Sequence, residues 1–355
     1  MKALRYYGKG DVRMETDVPD PELGPGKVLV KPAFTGLCGS DLHLYFHGPI
    51  PPTSPVSETE PHALTGETLP IVLGHEFSGT VVEVGEGVTG LKPGDPVAID
   101  PVSGCGECPA CKAGRYNACG KMACLGISGG GGGLSELISV PAEKVHPIGD
   151  IPLDQAAMFD PLCVGYHGVT KSGIKAGDVA LVGGGGPVGL LTAAVLKGVG
   201  ATVILTELAA NRREFAVNAK IADRVVDPAN EDLQAIVAEM TGGQGVDFAY
   251  ECVGAAPVVE PLLNALKIGG HMEILGVHTA PVPMDLVTVL FKELTIAGSV
   301  GYANAFPGAI KMVQEGKIDL SPFITARVKA DNFVTDGLEY LEDHKDDQIK
   351  MVVQM

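Results

Sequence analysis

Four cysteines, Cys105, Cys108, Cys111 and Cys119, constrain this chain more than any other feature. Their spacing, C-x2-C-x2-C-x7-C, suits four thiolates converging on one tetrahedral ion, and zinc is the expected occupant. Four thiolates also accommodate an iron-sulfur group or redox chemistry, so those are the rival readings. The hydrophilic stretch GCGECPACKAGRYNACG is therefore expected to be a small projection organised by metal. Four sulfurs close every coordination position, so its expected contribution is stability and not catalysis.

The remaining composition sets the class of protein around that lobe. At 355 residues the chain is too long for one simple core, and two domains are expected. Eight cysteines are few for this length, and half of them have metal-ligand spacing, which fits a reducing, cytoplasmic setting without disulfides. No functional role is expected for Cys124, Cys163 or Cys252. The net charge of -17, from 43 acidic and 26 basic residues, opposes nucleic-acid binding and favours small-molecule partners. The opening MKALRYYGKG has no apolar signal core. The apolar stretch from Val179 to Leu196 approaches membrane-span length, but GGGGPVG interrupts it, so it reads as strand, turn and helix. No membrane association is expected.

Along the chain the texture changes once. VLVKPAFTGLC, EFSGTVVEVGEGV and DPVAIDPVSGC read as short strands separated by Gly and Pro, the pattern of a small antiparallel barrel. From about Phe159, strands such as DVALVGG and TVILTE alternate with helices such as PVGLLTAAVLKGVG, which predicts a doubly wound parallel sheet. The last part carries a helix, FPGAIKMVQEG, and strand-like ITARVKA and IKMVVQM, and is expected to pack back on the N-terminal half. The expected boundaries are 1-155, 156-296 and 297-355. Residues 48-70, rich in Pro, Thr and Glu, are expected to form a long surface loop bordering the active site.

LVGGGGPVG fits the G-x-G-x-x-G dinucleotide fingerprint between a strand and a helix. Gly184 would permit the tight turn, Gly186 the approach of a pyrophosphate, and Gly189 close helix-strand packing. Pro187 and Val188 open the helix whose amino end receives phosphate. Glu207, at the end of TVILTE, can accept bonds from an adenosine ribose and repels a 2'-phosphate, so NAD is expected over NADP. Arg212 and Arg213 follow closely and leave room for phosphate binding.

A second metal constellation is expected from Cys38, in CGSDLH, and His75, in GHEFSG. A catalytic zinc takes three protein ligands and leaves one exchangeable position, and Glu76 or Asp160 could complete the set. Thiolate, imidazole and carboxylate together leave a Lewis-acid site able to bind an alcohol.

The pieces CGSDLH, GHEFSGTVVEVGEGV, the four-cysteine lobe, FDPLCVGYHGV and VGGGGPVGLLTA together resemble the medium-chain, zinc-dependent alcohol and polyol dehydrogenases. Among these the chain is most similar to the 2,3-butanediol (acetoin) dehydrogenases, and the Gly-rich LGISGGGGGLSE also resembles that branch. The resemblance implies an α/β protein with a GroES-like, beta-rich catalytic domain, interrupted by a Rossmann doubly wound parallel-sheet domain. It further implies two zinc ions per subunit and a homodimer or homotetramer. By the same resemblance Cys38 and His75 are zinc ligands, and Glu76 is an acidic neighbour that ligates zinc or sits just behind it. Asp160 stands, in D-P-L, where the branch commonly carries Glu, so a water-mediated contact is a second option for it. Ser40 resembles the hydroxyl that starts proton removal, and His43 a relay histidine. The implied activity is reversible NAD-dependent oxidation of a vicinal diol, chiefly (R,R)-2,3-butanediol to acetoin. Sorbitol, threonine or general secondary-alcohol dehydrogenases are the alternatives, and a non-catalytic zinc-stabilised nucleotide-binding protein or redox sensor is the alternative of another class.

Overall fold

The computed structural model describes residues 1-49 and 57-355, which divide into two compact units. The first comprises residues 1-160, 306-314 and 320-355, and the second 161-305 and 315-319. The divide therefore falls within the helix Phe159-Ser172, slightly later than the change of texture in the sequence. A helix carries no boundary signal in its own periodicity, which accounts for the difference.

In the first unit, strands follow the order Val145-Pro147, Pro96-Ile99, Glu76-Val84, Lys27-Leu37, Lys350-Gln354 and Ile324-Lys329, and Ile138-Pro141 also pairs with Lys27-Leu37. Lys27-Leu37 is the hub, antiparallel to Glu76-Val84 on one side and to the last strand of the chain on the other. Val28 and Val30 alternate with Lys27 and Lys31, so one face enters a core with Phe77, Val81, Val97, Ile99 and Val140. The final strand, Lys350-Gln354, has four consecutive buried residues, and the first of them is a lysine.

The second unit holds a six-stranded sheet in the order Arg224-Val226, Thr202-Thr206, Val179-Gly183, Val246-Glu251, Leu266-Ile274 and Thr295-Gly298. Every pairing is parallel, and numbering from Val179-Gly183 the order is 3-2-1-4-5-6, that of a Rossmann sheet. VALVG is apolar because helices cover both faces of a parallel sheet. The apolar stretch beginning at Val179 is this strand, a glycine turn and the helix Pro187-Val199, which ends at Gly200 with φ 95°. No helix among the described residues is long and apolar enough to cross a membrane.

Part of the 48-70 segment, residues 50-56, lies outside the described residues. The part from residue 57 onward is tied down. His62 is buried and its Nδ1 accepts hydrogen bonds from the backbone of Leu64 and Thr65, each 3.2 Å. Glu67 accepts one from the backbone of Gly130 at 2.9 Å.

Candidate active site

Two elements of the first unit assemble the candidate metal centre. Cys38 precedes the helix Gly39-His47, and His75 and Glu76 lead into the strand Glu76-Val84. Ligand atoms of Cys38, His75 and Glu76 lie within 4.8 Å of one another, and His75 and Glu76 are buried. Ser40, in the first turn of its helix, places its hydroxyl 3.2 Å from His75 Nε2. His43 lies further along the same helix with Nδ1 3.1 Å from the Gly48 carbonyl. A carbonyl can only accept, so Nδ1 carries the hydrogen and Nε2 is left as the acceptor. Asp160 stands in the first turn of the helix Phe159-Ser172, outside the three-donor group, though its charge acts on Lys350.

Two further residues that the motifs did not single out belong to this centre. Asp41 is buried, accepts a hydrogen bond from the Cys38 backbone at 2.9 Å, and brings its second oxygen to 3.6 Å from His75 Nδ1. Neither that Asp41 oxygen nor His75 Nδ1 has a hydrogen-bond partner. Lys350, only 3% exposed, donates to Glu76 at 2.6 Å from the far end of the sequence. Gly36 makes the room, since a β-carbon there would sit 2.0 Å from the Glu76 carboxylate. Signals for both were present: a carboxylate three residues after Cys38, in helix-capping position, and a charge at the head of an apolar strand.

The donor set fits a metal ion. Burial opposes charge on His75, but Asp41 and Cys38 outweigh it and raise the imidazole well above the usual histidine range. Surroundings that favour positive charge so strongly, with unpartnered polar atoms at their centre, are suited to a dication. Asp41, 3.6 Å behind the imidazole, stands where an outer carboxylate would orient His75 as a metal ligand. At the back of the site the Gly-rich run closes on the ligand segment, as Gly133 donates its backbone hydrogen to the Gly74 carbonyl at 2.7 Å.

The four-cysteine group is compact, and all eight cysteines are free of disulfides. The Cys105 and Cys111 sulfurs are 4.0 Å apart, close to the separation of about 3.8 Å expected for two sulfurs on one tetrahedral zinc. Backbone N-H groups already point at sulfur, from Cys105 and Lys121 to Cys119 and from Cys108 to Cys105. Hydrogen bonds from the Glu107 and Cys108 backbone hold Cys105 down to about 6, whereas burial pushes Cys111 up to about 12. Tyr116 anchors the lobe, donating to Asp100 at 3.0 Å beneath the Lys144 ammonium.

The second unit carries a cavity of about 500 Å³ over the glycine turn, lined among others by Gly184, Gly186, Glu207, Arg212 and Val253. Gly184 adopts φ 99°, and a β-carbon at Gly189 would lie 2.0 Å from the Gly184 carbonyl oxygen. Both positions therefore exclude a side chain. Gly186 caps the helix Pro187-Val199, with Pro187 and Val188 in its first turn. Glu207 accepts hydrogen bonds from the backbone of Gly185 at 2.6 Å and Ala209 at 2.7 Å, which fixes its carboxylate at the cavity wall. Arg213 is committed to Asp227 at 2.9 Å.

Comparison with known proteins agrees with this arrangement. The alcohol dehydrogenase GroES-like domain matches residues 24-150, and the zinc-binding dehydrogenase domain matches 187-315. The chain is 44% identical to the (R,R)-butanediol dehydrogenase of Neisseria gonorrhoeae over 99% of each. It is 38% identical to that of Bacillus subtilis, over 100% of this chain and 99% of the other. The crystal structure of 2R,3R-butanediol dehydrogenase from Bacillus subtilis matches with a TM-score of 0.91 at 36% identity, covering 100% of this chain and 99% of that one. An Escherichia coli alcohol dehydrogenase complexed with NADH matches at 0.86 and 27% identity, over 100% and 99%. With a GroES-like domain bearing the metal donors and a Rossmann domain bearing the nicotinamide-cofactor fingerprint, the chain belongs to the zinc-binding alcohol dehydrogenase family.

Proposed function

We propose that this enzyme reversibly oxidises (R,R)-2,3-butanediol to acetoin with NAD. The observation that carries the chemistry is the buried Cys38, His75 and Glu76 group with Ser40 beside it. Full-length likeness to two butanediol dehydrogenases supports the substrate. When bound, zinc supplies Lewis-acid polarisation of the alcohol oxygen and the nicotinamide supplies a hydride acceptor. Cys38 and His75 would hold the ion, with Glu76 as third ligand, while Asp160 acts from outside that group. Oxidation removes a hydride from the carbinol carbon and a proton from its oxygen. Ser40 would accept the proton first, and His43, with Nε2 free to accept, would pass it toward solvent.

Glu207 supports NAD over NADP, because a 2'-phosphate would meet its carboxylate and Arg213 is already paired. A second zinc, held by Cys105, Cys108, Cys111 and Cys119, would make two per subunit. The metal-ligand spacing of half the cysteines supports a reducing, cytoplasmic setting. The outer edge of Thr295-Gly298 is unpaired among the described residues, and Leu286, Val287, Leu290 and Phe291 stand exposed just before it. An open strand edge beside so much apolar surface supports self-association through a second copy of the chain. The test of the function is the initial rate with NAD and separate (R,R)-, (S,S)- and meso-2,3-butanediol. Rates selective for isomers carrying an R carbinol centre are expected. Negligible rates with all three would overturn the substrate and move it to another polyol or secondary alcohol.

A further inference from the structure

Glu251 ends the strand Val246-Glu251 as a carboxylate with no exposed surface. One oxygen accepts the backbone hydrogens of Val253 and Gly254, both at 2.9 Å. The other accepts from His278 Nε2 at 3.0 Å, across from the loop that follows Leu266-Ile274. The main chain repeats the link, because the Glu251 carbonyl accepts from Leu275 at 2.8 Å and Gly276 at 2.9 Å. Among the described residues three donors reach this deeply buried carboxylate, and two of them lie in the turn it organises.

That turn is a wall of the dinucleotide cavity. Cys252 and Val253 line it, and Val253 packs so tightly on the fingerprint that a β-carbon at Gly184 would come within 2.3 Å of its side chain. On the other side, a β-carbon at Gly254 would meet the Val277 carbonyl oxygen at 2.5 Å. The turns 252-254 and 275-278 therefore interlock at the carboxyl ends of adjacent parallel strands, where ligands of such sheets bind. His278 itself is not among the described residues that line the cavity.

We propose that Glu251 and His278 form a clamp that positions this wall against the glycine turn and thereby sets cofactor affinity. The clamp rests on the dinucleotide reading of the cavity. Both are positioning residues, acting on the cofactor through the Val253 backbone and side chain. Removing the imidazole leaves a buried oxygen without its donor and frees the second turn from the first. A glutamine at 278 can still donate one N-H to the carboxylate, whereas leucine cannot.

The test measures NADH binding by fluorescence titration, KM for NAD, kcat and thermal midpoint for the wild type, His278→Gln, His278→Leu and Glu251→Gln. His278→Leu and Glu251→Gln should weaken NADH binding and raise KM for NAD by about ten-fold, with kcat at saturating NAD within about three-fold. His278→Gln should stay within about two-fold of wild type, the expected rescue of a retained donor. A lowered thermal midpoint with unchanged KM for NAD would overturn the clamp and leave a structural pair. Equal weakening by His278→Gln and His278→Leu would overturn it too. A wild-type protein that binds no NADH would remove the dinucleotide reading itself, an outcome distinct from either.

Discussion

A lysine buried to 3% exposure is tolerated only with a partner, and Lys350 has one in Glu76. Burial opposes its charge, but Glu76, Cys38 and Asp160 outweigh that and hold Lys350 above the ordinary lysine value. Replacing it by the similarly long Met strands Glu76 as a buried anion, at a cost of about 3-5 kcal/mol. Urea unfolding of Lys350→Met should show that loss in chelator-treated protein and a smaller one after zinc loading, because a dication beside Glu76 offsets the missing cation. Equal losses in both forms would mean that Glu76 is not felt by the metal. Asp41 acts on the opposite side of the centre. Asp41→Asn keeps an acceptor for the Cys38 backbone but removes the charge behind His75. Zinc affinity, measured by competition with a chromophoric chelator, should fall about 10-100-fold.

At the scale of elements, the four-cysteine lobe has little packing of its own, since none of the residues of its short helix, Pro109-Lys112, is buried, and the proposed zinc would be what holds it. Cys119→Ser should lower zinc content by one ion per chain and raise proteolytic cutting within 104-121. NADH binding should remain, because the cofactor cavity belongs to the other unit. Unchanged zinc content would remove the assignment of that site. The strand Leu266-Ile274 offers a pH test. Burial alone would raise Glu273, but hydrogen bonds from His271 at 2.8 Å and Lys171 at 2.7 Å outweigh it and hold the carboxyl below its usual 4.5. A folded value below the unfolded one means that the ionised group stabilises the fold fully above about pH 4.5. That contribution is lost as pH falls through the folded value. Urea midpoints followed from pH 7 to 3 should therefore drop less steeply in Glu273→Gln than in wild type. Parallel curves would show that the network adds nothing.

For the whole molecule, the self-association proposed above would run through the exposed stretch ahead of Thr295-Gly298. Phe291 is 78% exposed and Leu290 71%, side chains whose burial stabilises by about 1.5-3 kcal/mol each. Sedimentation of wild type should give a dimer or larger, and Leu290→Glu with Phe291→Glu a monomer at the same concentration. A monomeric wild type would end that reading. Much of the layout was legible beforehand because its signals are local. VALVG followed by PVGLLTAAVLKGV announced a strand and helix by continuous burial and a closing glycine, and both formed as read. The fingerprint glycines were legible for the same reason, as their roles depend on neighbours a few residues away. Asp41 and Lys350 left only weak local traces, a capping carboxylate and a lysine heading an apolar strand, because the partners that give them a role, His75 and Glu76, lie far away in the sequence.

The sequence by itself determined which chemistry this protein can perform: thiolate, imidazole and carboxylate donors, a glycine turn for a dinucleotide, and an acidic residue at the end of the second Rossmann strand. Ligand spacing and backbone period act over a few residues, so they survive without the fold. Only the tertiary structure decided that Gly36, Glu76 and Lys350 meet. Lys27-Leu37 lies between two antiparallel neighbours, whose register sets Gly36 opposite both Glu76 and Val352. The resulting buried ion pair joins residues 274 positions apart, and no local pattern encodes a contact at that separation.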